Sequence, residues 1–448
     1  MALTAMDIYK LLPKTNCGKC GTPTCLAFAM QLANKKASLD QCPDASDEAK
    51  QALAAASEPP IALVKIGAGE RELKIGNETV LFRHEESFYH PCGIAVQVSD
   101  DLDDDELDEK IAGIDGLWFE RVGEDIGVEL LAVKAESGDP DRFAGVVGKV
   151  LQGARQTPLL VSLDPSIIQA AFEANEDLAA ARPLIYAATP DNCEEMTGLA
   201  KKYDVPLAVL ADGIDQLAEL TPKIKEMGVK EMVLDPGSGS TLGVMSDLTQ
   251  IRRQARKNTF RPLGYPTIGF AGGEDARAMT LEATTYISKY AGVVVIDSCE
   301  APHVLPLLTF RQNLYTDPRV PPAIEAKLYE VGDVTADSTV LMTTNFALTY
   351  FTVLGEVEAS KVPAYILVVD TEGQSVLTAY SSENLTAENT AKAIKDSGLE
   401  DRVNHRKIII PGYVAVMSGA LEAESGWDVS VGPREASAIP SFMREVAG

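Results

Sequence analysis

Four cysteines near the amino terminus have the spacing of a metal centre. Cys17, Cys20 and Cys25 form a C-x2-C-x4-C motif, and Cys42 follows after sixteen further residues. A C-x2-C turn can place two thiolates on one edge of a cluster, and the wide, asymmetric remainder suits a cubane with four thiolate ligands. The pattern therefore predicts a [4Fe–4S] cluster bound by Cys17, Cys20, Cys25 and Cys42, and with it one-electron transfer.

A zinc site with four cysteine ligands and a set of ordinary buried thiols are the alternatives. Zinc sites of this kind usually have two C-x2-C pairs, whereas this sequence has one. Because no second pair occurs, the chain does not resemble a ferredoxin with several clusters. The partner of the predicted cluster in electron transfer must lie elsewhere in the chain or in a complex.

Short helices are expected to position these thiols. Apolar residues before Pro13 predict a first helix that ends there. Thr22 and Pro23 suit the cap and the first turn of a second helix, predicted over residues 23–34. Cys25 would then lie at the positive end of the helix dipole, which favours the negative charge of a cluster.

Composition excludes several classes of function. The 448-residue chain has a formal net charge of -26, which disfavours nucleic acid and anionic membrane surfaces, since both attract basic proteins. No apolar run approaches the ~18 residues that a membrane helix needs, and the first residues lack a secretory signal. A cytoplasmic location is therefore expected, where seven cysteines do not indicate a disulfide framework.

The length of the chain predicts two or three domains, because one hydrophobic core rarely supports so many residues. An alanine-rich helix predicted over 46–56 and a linker over 57–60 mark the first boundary, and a proline-rich joint over 315–322 marks the second. The predicted divisions are a cluster domain over 1–58, a barrel domain over 59–322 and a smaller α/β domain over 323–448.

Eight β-rich runs alternate with helical stretches in the middle block. The predicted strands are Ile94–Val98, Val128–Val133, Leu159–Leu163, Leu184–Ala187, Leu207–Leu210, Met232–Asp235, Thr267–Phe270 and Val293–Asp297. Amphipathic stretches between them include 191–203, 214–227 and 274–290. These units predict a TIM (β/α)8 barrel, with an open doubly wound sheet as the alternative. Residues 117–119 are a candidate additional strand that would disturb the count.

The last block has the pattern of a small Rossmann-like domain. Its predicted strands are 340–343, 365–369, 407–410 and 429–431, separated by helices over 346–354, 387–397, 414–423 and 434–446. In such sheets, ligands bind beyond the carboxyl ends of the strands. These ends are therefore the candidate cofactor site.

Small, hydroxyl-bearing residues and glycine at two of these ends would let a large flat ligand, such as a corrin ring, approach the backbone. The candidates are Thr343, Thr344, Asn345, Gly373, Gln374, Ser375, Val376 and Thr378. Ordinary turns commonly contain the same residue types, and the pattern alone favours that interpretation.

Other cofactor motifs are absent from the sequence or unspecific. No P-loop occurs, no G-x-G-x-x-G follows a strand, and the four histidines, His84, His90, His303 and His405, form no metal-binding pattern. Residues 237–240, Gly-Ser-Gly-Ser, follow a predicted barrel strand at the face where phosphates or pterins often bind. A flexible turn is an equally good interpretation.

Four segments resemble the large subunit of the corrinoid iron–sulfur protein family of acetogens. They are residues 12–30, which contain the cysteine motif, and residues 310–318, 343–350 and 431–437. The resemblance extends over essentially the whole chain. It implies a cluster domain, a TIM barrel and a corrinoid-binding domain, in the order of the three predicted blocks.

The resemblance also implies a cofactor site. A corrinoid would be held base-off without a protein histidine ligand, and indeed no histidine lies in a D-x-H-x-x-G context. Thr349, Gly432, Arg434, Ala436 and Ser437 join the candidate contacts, because they lie in the resembling segments. Thr378 is the candidate neighbour of the lower face of the corrin ring.

The function implied by the resemblance is methyl transfer in the reductive acetyl-CoA (Wood–Ljungdahl) pathway of anaerobes. Corrinoid Co(I) would accept a methyl group from methyltetrahydrofolate through a separate methyltransferase and pass it to acetyl-CoA synthase/CO dehydrogenase. The cluster would return oxidised Co(II) to Co(I). The chain would thus be a methyl carrier rather than a stand-alone enzyme, in a heterodimer with a small subunit and reduced by a low-potential donor such as ferredoxin.

Two rival functions remain open at this stage. The first is an iron–sulfur electron-transfer subunit without its own corrinoid, which predicts iron but no cobalt. The second is a barrel methyltransferase that binds a pterin through residues 237–240.

Overall fold

The structure is a computed structural model, and it describes residues 5–33, 37, 39–46, 59–85, 87–272, 275–317 and 319–447. The chain forms two compact units. The first comprises Met1–Phe119 with Ile126–Tyr315, and the second comprises Glu120–Asp125 with Thr316–Gly448. The division into three functional parts stays a prediction.

Two short helices open the described chain, α1 (Ala5–Leu11) and α2 (Cys25–Ala33). α1 ends just before Pro13, as predicted. α2 begins later than residue 23, the predicted start. The predicted helix over 46–56 lies outside the described residues apart from Ser46, which is not helical.

Eight parallel strands of the first unit close into a barrel, which confirms the TIM-barrel prediction and shows that the open sheet is wrong. The strands over residues 63–296, in chain order, are β1 (Leu63–Ile66), β2 (Leu73–Gly76), β3 (Gly93–Ser99), β4 (Trp118–Arg121), β5 (Glu124–Gly127), β6 (Leu130–Lys134), β7 (Thr157–Val161), β8 (Leu184–Ala188), β9 (Leu207–Leu210), β10 (Met232–Asp235), β11 (Thr267–Ala271) and β12 (Ala291–Ile296). The barrel contains β3 and β6–β12. The candidate strand over 117–119 belongs instead to the separate β4–β5 sheet.

Helices follow the barrel strands. They are α3 (Asp104–Asp115), α4 (Pro140–Gly153), α5 (Pro165–Ala174), α6 (Cys193–Tyr203), α7 (Ile214–Glu226), α8 (Thr241–Lys257), α9 (Ala276–Ser288) and α10 (Ala301–Tyr315). α4 and α5 each begin with an aspartate cap followed by proline, since Asp139 and Asp164 accept hydrogen bonds from the first-turn N–H groups. No helix among the described residues is long and apolar enough to cross a bilayer.

The barrel interior is filled by apolar side chains rather than by a channel. Val64, Ile66 and Ile75, from the β1–β2 hairpin, share one core with inward residues of the strands such as Ala95 and Leu130. The hairpin contacts the amino-terminal ends of the strands: Thr157, the first residue of β7, donates to the Arg71 carbonyl. The amino-terminal end of the barrel is thereby covered.

A buried ion pair connects the last barrel helix to the barrel strands. Arg311 of α10 lies 2.7 Å from the carboxylate of Glu129 and also donates to the carbonyls of Cys92 and Gly127. Glu129 in turn accepts a hydrogen bond from the N–H of Ile94. The arginine side chain is 7% exposed, so the pair is held in a site of low dielectric constant. Arg311 belongs to the 310–318 segment, one of the four that resemble the family, and its contacts give that residue a structural role.

The second unit is an α/β sheet with helices on both faces. Its strands are β13 (Leu328–Val331), β14 (Thr339–Thr344), β15 (Ala364–Val369), β16 (Lys407–Ile410) and β17 (Asp428–Val431), and its helices are α11 (Ala347–Ser360), α12 (Val376–Ser381), α13 (Ala387–Asp396), α14 (Ser418–Ser425) and α15 (Ile439–Ala447). The strand order is β13-β15-β14-β16-β17, with β13 antiparallel to its neighbour. The four predicted strands are present, whereas β13 and α12 were not predicted. α15 begins at Ile439, so residues 434–438 precede it.

We expect Arg311→Met to destabilise the barrel by about 3–5 kcal/mol, because it leaves the Glu129 carboxylate without its buried partner. Urea unfolding followed by circular dichroism measures the change. Lys149→Met is the matched control, since Lys149 pairs with Asp108 at the surface at 2.9 Å, and exposed pairs contribute about 0.2–1 kcal/mol. Equal effects of the two substitutions would contradict the structural role of Arg311.

Candidate functional site

The four motif cysteines lie in or beside one small core. Cys25 and Cys42 are 6% and 5% exposed and pack with Phe28. Cys20 is half-buried against the same core, and Cys17 is exposed. All seven cysteines of the chain are free of disulfides. The segment therefore offers four thiols, three of them in a common apolar environment.

The loop that carries the first two thiols has an unusual backbone. Asn16, Gly18 and Gly21 have φ values of 50°, 70° and 80°, in the left-handed region that asparagine and glycine tolerate best. The side chain of Asn16 accepts a hydrogen bond from the N–H of Cys25 at 2.8 Å. The loop is thereby fastened to the start of α2.

The start of α2 corrects one sequence-based expectation. Thr24, not Thr22, caps the helix, because its hydroxyl accepts a hydrogen bond from the N–H of Ala27 at 3.1 Å. The hydroxyl of Thr22 lies 3.0 Å from the sulfur of Cys20, and this contact lowers the pKa of the Cys20 thiol. A lower pKa favours the thiolate, the form that binds metals.

A salt bridge closes the other side of the loop. Lys19 lies 3.1 Å from the carboxylate of Asp44, and the sulfur of Cys17 lies 3.7 Å from the same carboxylate. Among the described residues, no three His, Cys, Asp or Glu side chains converge closely enough to hold a single metal ion. The support for a metal centre here is the donor set itself, four thiols on one short segment with a cationic lysine beside them.

The second unit contains a cleft at the carboxyl ends of its central strands. It has a volume of about 1010 Å³, part of which is open to solvent. Its lining residues are Leu341, Met342, Thr343, Leu348, Thr349, Thr352, Val353, Ser375, Val376, Leu377, Ile409, Ile410, Pro411, Tyr413, Gly432, Pro433, Arg434, Ala436 and Ile439. β14 and β16 are adjacent although the chain passes through β15 between them. This is the topological switch point, where α/β sheets bind their ligands.

Two hydroxyls at the end of β14 have no partner in the structure. Thr343 and Thr344 are 1% and 0% exposed, and the Oγ1 atom of each makes no hydrogen bond. An unsatisfied buried hydroxyl costs free energy, and Thr343 lines the cleft. The arrangement fits a ligand that brings hydrogen-bonding groups into an otherwise apolar space.

The structure brings seven of the thirteen candidate contacts to the cleft wall and leaves six outside it. Those that line it are Thr343, Thr349, Ser375, Val376, Gly432, Arg434 and Ala436. Those that do not are Thr344, Asn345, Gly373, Gln374, Thr378 and Ser437. Contact with a cofactor stays a prediction for all of them.

Asn345 has a structural use that the sequence did not reveal. Its side-chain oxygen accepts hydrogen bonds from the N–H groups of Thr371 and Gly373 and from the Thr371 hydroxyl, at 2.9–3.0 Å. Its amide nitrogen donates to Asp370 at 2.9 Å. Gly373 has a φ of 71°, which glycine adopts without strain. Asn345 therefore fixes the loop that precedes Ser375.

Sequence analysis missed the apolar walls of the cleft. Leu348, Leu377 and Tyr413 line it and are 47%, 49% and 44% exposed. Ile409 and Ile410 form its floor from β16. Such residues are indistinguishable from ordinary core by periodicity alone. The sequence could have indicated them in one way: they lie at the ends of predicted strands and near the starts of helices, around one edge of the sheet.

Comparisons with known proteins identify the family of the chain. A family model described as CO dehydrogenase/acetyl-CoA synthase delta subunit matches residues 63–443, and one described as a putative Fe–S cluster matches residues 12–43. The chain is 49% identical over 444 residues to the corrinoid/iron-sulfur protein large subunit of Moorella thermoacetica, with 99% of both chains covered. The chain belongs to this large-subunit family. The family resemblance found in the sequence is thus confirmed.

More distant relatives match over the full length as well. The acetyl-CoA decarbonylase/synthase complex subunit gamma of Methanothermobacter thermautotrophicus is 37% identical over 460 residues, with 100% of both chains covered. Among solved structures, the dihydropteroate synthase of Thermus thermophilus is 16% identical with a TM-score of 0.38, covering 56% of this chain and 99% of that one. We draw nothing further from this structural likeness.

We expect Thr343→Val to stabilise the ligand-free chain by about 1 kcal/mol, because it replaces an unsatisfied buried hydroxyl with a methyl group of similar shape. Urea unfolding, followed by Trp427 fluorescence in a Trp118→Phe background, measures the second unit alone. Thr371→Val is the matched control: Thr371 is equally buried, but its hydroxyl is hydrogen-bonded, so this substitution is expected to destabilise. A loss of stability in Thr343→Val would show that its hydroxyl has a partner within the chain.

Proposed function

We propose that this chain is a methyl carrier of the acetyl-CoA pathway. It would receive a methyl group from methyltetrahydrofolate through a separate methyltransferase and deliver it to acetyl-CoA synthase. One combination of features supports the proposal most. This member of the family has a four-thiol segment, and it also has a large cleft at the switch point of an α/β sheet. The first suits electron transfer and the second suits a bulky organic cofactor.

The cofactors of the proposed function are a [4Fe–4S] cluster and a corrinoid. Family membership supports both, and the match of residues 12–43 to an Fe–S model supports the cluster independently. When bound, the corrinoid supplies a cobalt that can carry a methyl group, and the cluster supplies the single electron that restores the cobalt after oxidation. The protein contributes ligation, orientation and exclusion of water.

Cys17, Cys20, Cys25 and Cys42 are the proposed cluster ligands. The hydroxyl of Thr22 favours the thiolate form of Cys20 by lowering its pKa, and Cys25 lies at the first residue of α2, the positive end of the helix dipole. Lys19 adds a positive charge beside the loop, although Asp44 partly neutralises it. These groups favour the net negative charge that a thiolate-ligated cluster carries.

The cleft residues would hold the corrinoid through its periphery. Thr343, Thr349 and Ser375 offer hydroxyls to amide groups, while apolar side chains exclude water. We propose that the corrinoid is held base-off, without a histidine ligand from this chain. Thr378, which is exposed and whose hydroxyl lies 3.0 Å from that of Ser375, remains our candidate neighbour of its lower face.

The proposed partners follow from the proposed route of the methyl group. They are a small subunit in a heterodimer, the methyltetrahydrofolate methyltransferase, acetyl-CoA synthase/CO dehydrogenase and a low-potential electron donor such as ferredoxin. The relatives' names, a large subunit and a complex subunit gamma, support assembly with other chains. We further propose that residues 1–58, 59–322 and 323–448 act as separate functional parts, with electron transfer in the first and corrinoid binding in the last.

No observation favours a pterin site at residues 237–240. The hydroxyl of Ser238 donates to Asp247, and that of Ser240 caps α8 by accepting from the N–H of Gly243 at 3.2 Å. The N–H of Gly237 donates to Asp235 at 2.8 Å. Both hydroxyls of this turn and the N–H of Gly237 are therefore engaged within the barrel unit.

We expect Cys20→Ala to lose the cluster and to retain corrinoid binding, because the cleft lies in a different compact unit. Methyl transfer from chemically prereduced protein should persist, whereas reactivation by an electron donor after oxidation should fail. Iron content reports the cluster, and the corrinoid absorption spectrum reports corrinoid binding. The rates of methyl transfer and of reactivation report the two activities. Cys299→Ala, which removes a half-buried thiol outside the motif, is the control and should behave as the parent. Normal reactivation of Cys20→Ala would overturn the proposed role of the cluster.

Metal analysis separates the proposal from a simple electron-transfer subunit. Protein purified without oxygen together with its small subunit should contain cobalt as well as about four iron atoms per chain, as expected for one cubane with four thiolate ligands. Iron without cobalt would favour the electron-transfer alternative.

A further inference from the structure

The cleft of the second unit is almost free of charge. Arg434 is the one residue with a formal charge among those that line it in the described part of the chain. This is unusual in a chain whose formal net charge is -26. A single cation at an apolar and hydroxyl-bearing cleft suits a ligand that is neutral over most of its surface and anionic at one point.

The backbone of Arg434 is fixed against the end of β16. The N–H of Gly412 donates to the Pro433 carbonyl at 3.1 Å, and the N–H of Gly432 donates to the Ile410 carbonyl at 2.9 Å. A Cβ atom at Gly412 would lie 2.6 Å from the Gly432 carbonyl oxygen and 2.9 Å from the Arg434 nitrogen. Glycine at 412 thus permits the close approach that places Arg434 at the cleft.

The nearest carboxylate in the sequence is engaged by another side chain. Glu435 accepts a hydrogen bond from the Tyr413 hydroxyl at 2.8 Å. Tyr413 itself lines the cleft. No salt bridge joins Arg434 to any described carboxylate within 4.0 Å. The guanidinium is therefore available to an anionic ligand group.

We propose that Arg434 binds the phosphodiester of the corrinoid's nucleotide loop, and that the chain thereby selects complete corrinoids over those that lack the loop. This inference rests on the proposed function, because it requires the corrinoid to occupy the cleft. The amide side chains around a corrin ring are neutral, whereas the phosphodiester carries a negative charge. Guanidinium groups bind phosphate with two parallel hydrogen bonds, a geometry that lysine lacks.

The test compares two ligands and three variants of the full chain, each purified with its small subunit, freed of corrinoid and titrated without oxygen. Cobalamin has the nucleotide loop, and cobinamide lacks both its phosphate and its base. Arg434→Gln should weaken cobalamin binding about tenfold, the order expected for one charge-assisted contact at a partly exposed site, and should leave cobinamide binding unchanged. Arg434→Lys should fall between, because it keeps the charge but not the paired donors. Absorbance changes of the corrinoid give the Kd values.

Lys407→Gln is the matched control. It removes one exposed positive charge at the amino-terminal end of β16, away from the cleft, and should change neither affinity. An effect of Arg434→Gln on both corrinoids alike would overturn the inference, as would no effect on either. If neither corrinoid bound the parent protein, the proposed function itself would fail. If the parent and all variants bound both corrinoids with equal affinity, only the inference about Arg434 would fail.

Discussion

The topology around β14 is the constraint on which the candidate cofactor site depends. β14 pairs with β15 on one side and with β16 on the other. Helices therefore cover both faces of the sheet: α11 and α15 pack on one, and α12–α14 pack on the other. The two layers diverge at the carboxyl ends of the central strands and leave space there. The cleft thus follows from strand order before any particular side chain is considered.

Side chains then give this space its chemical character. Two carboxylates that follow the strands β15 and β17 are held by groups of the chain: Asn345 donates to Asp370, and Tyr413 donates to Glu435. A carboxylate fixed in this way is less free to swing towards Arg434. In a chain with a net charge of -26, the described lining of the cleft thus has one residue with a formal charge, the cation Arg434.

The sequence predicted the cysteine segment more fully than the cleft, for a physical reason. Ligand spacing such as Cys17 to Cys20 is local, so a short motif contains most of the information about the centre. The barrel strands were equally accessible, because short β-branched runs buried on both faces form a strong pattern. The walls of the cleft depend instead on residues such as Leu348 and Ile409, which lie far apart in the chain and resemble core residues. Asn345 was predicted as a cofactor contact and lies outside the cleft lining; its role in holding the 370–373 loop required coordinates.

The two sites also differ in what holds them together. The cleft belongs to a unit with two apolar cores, one on each face of the sheet. The described residues of the cysteine segment form a small core around Ile8, Leu12 and Phe28, in which Cys25 and Cys42 take part. Segments of about 40 residues seldom fold on such a core alone and usually need a metal or disulfides. With every cysteine free of disulfides, binding of the cluster would supply part of the folding free energy of this segment. The cluster would then stabilise the fold of the amino-terminal segment in addition to its proposed redox role.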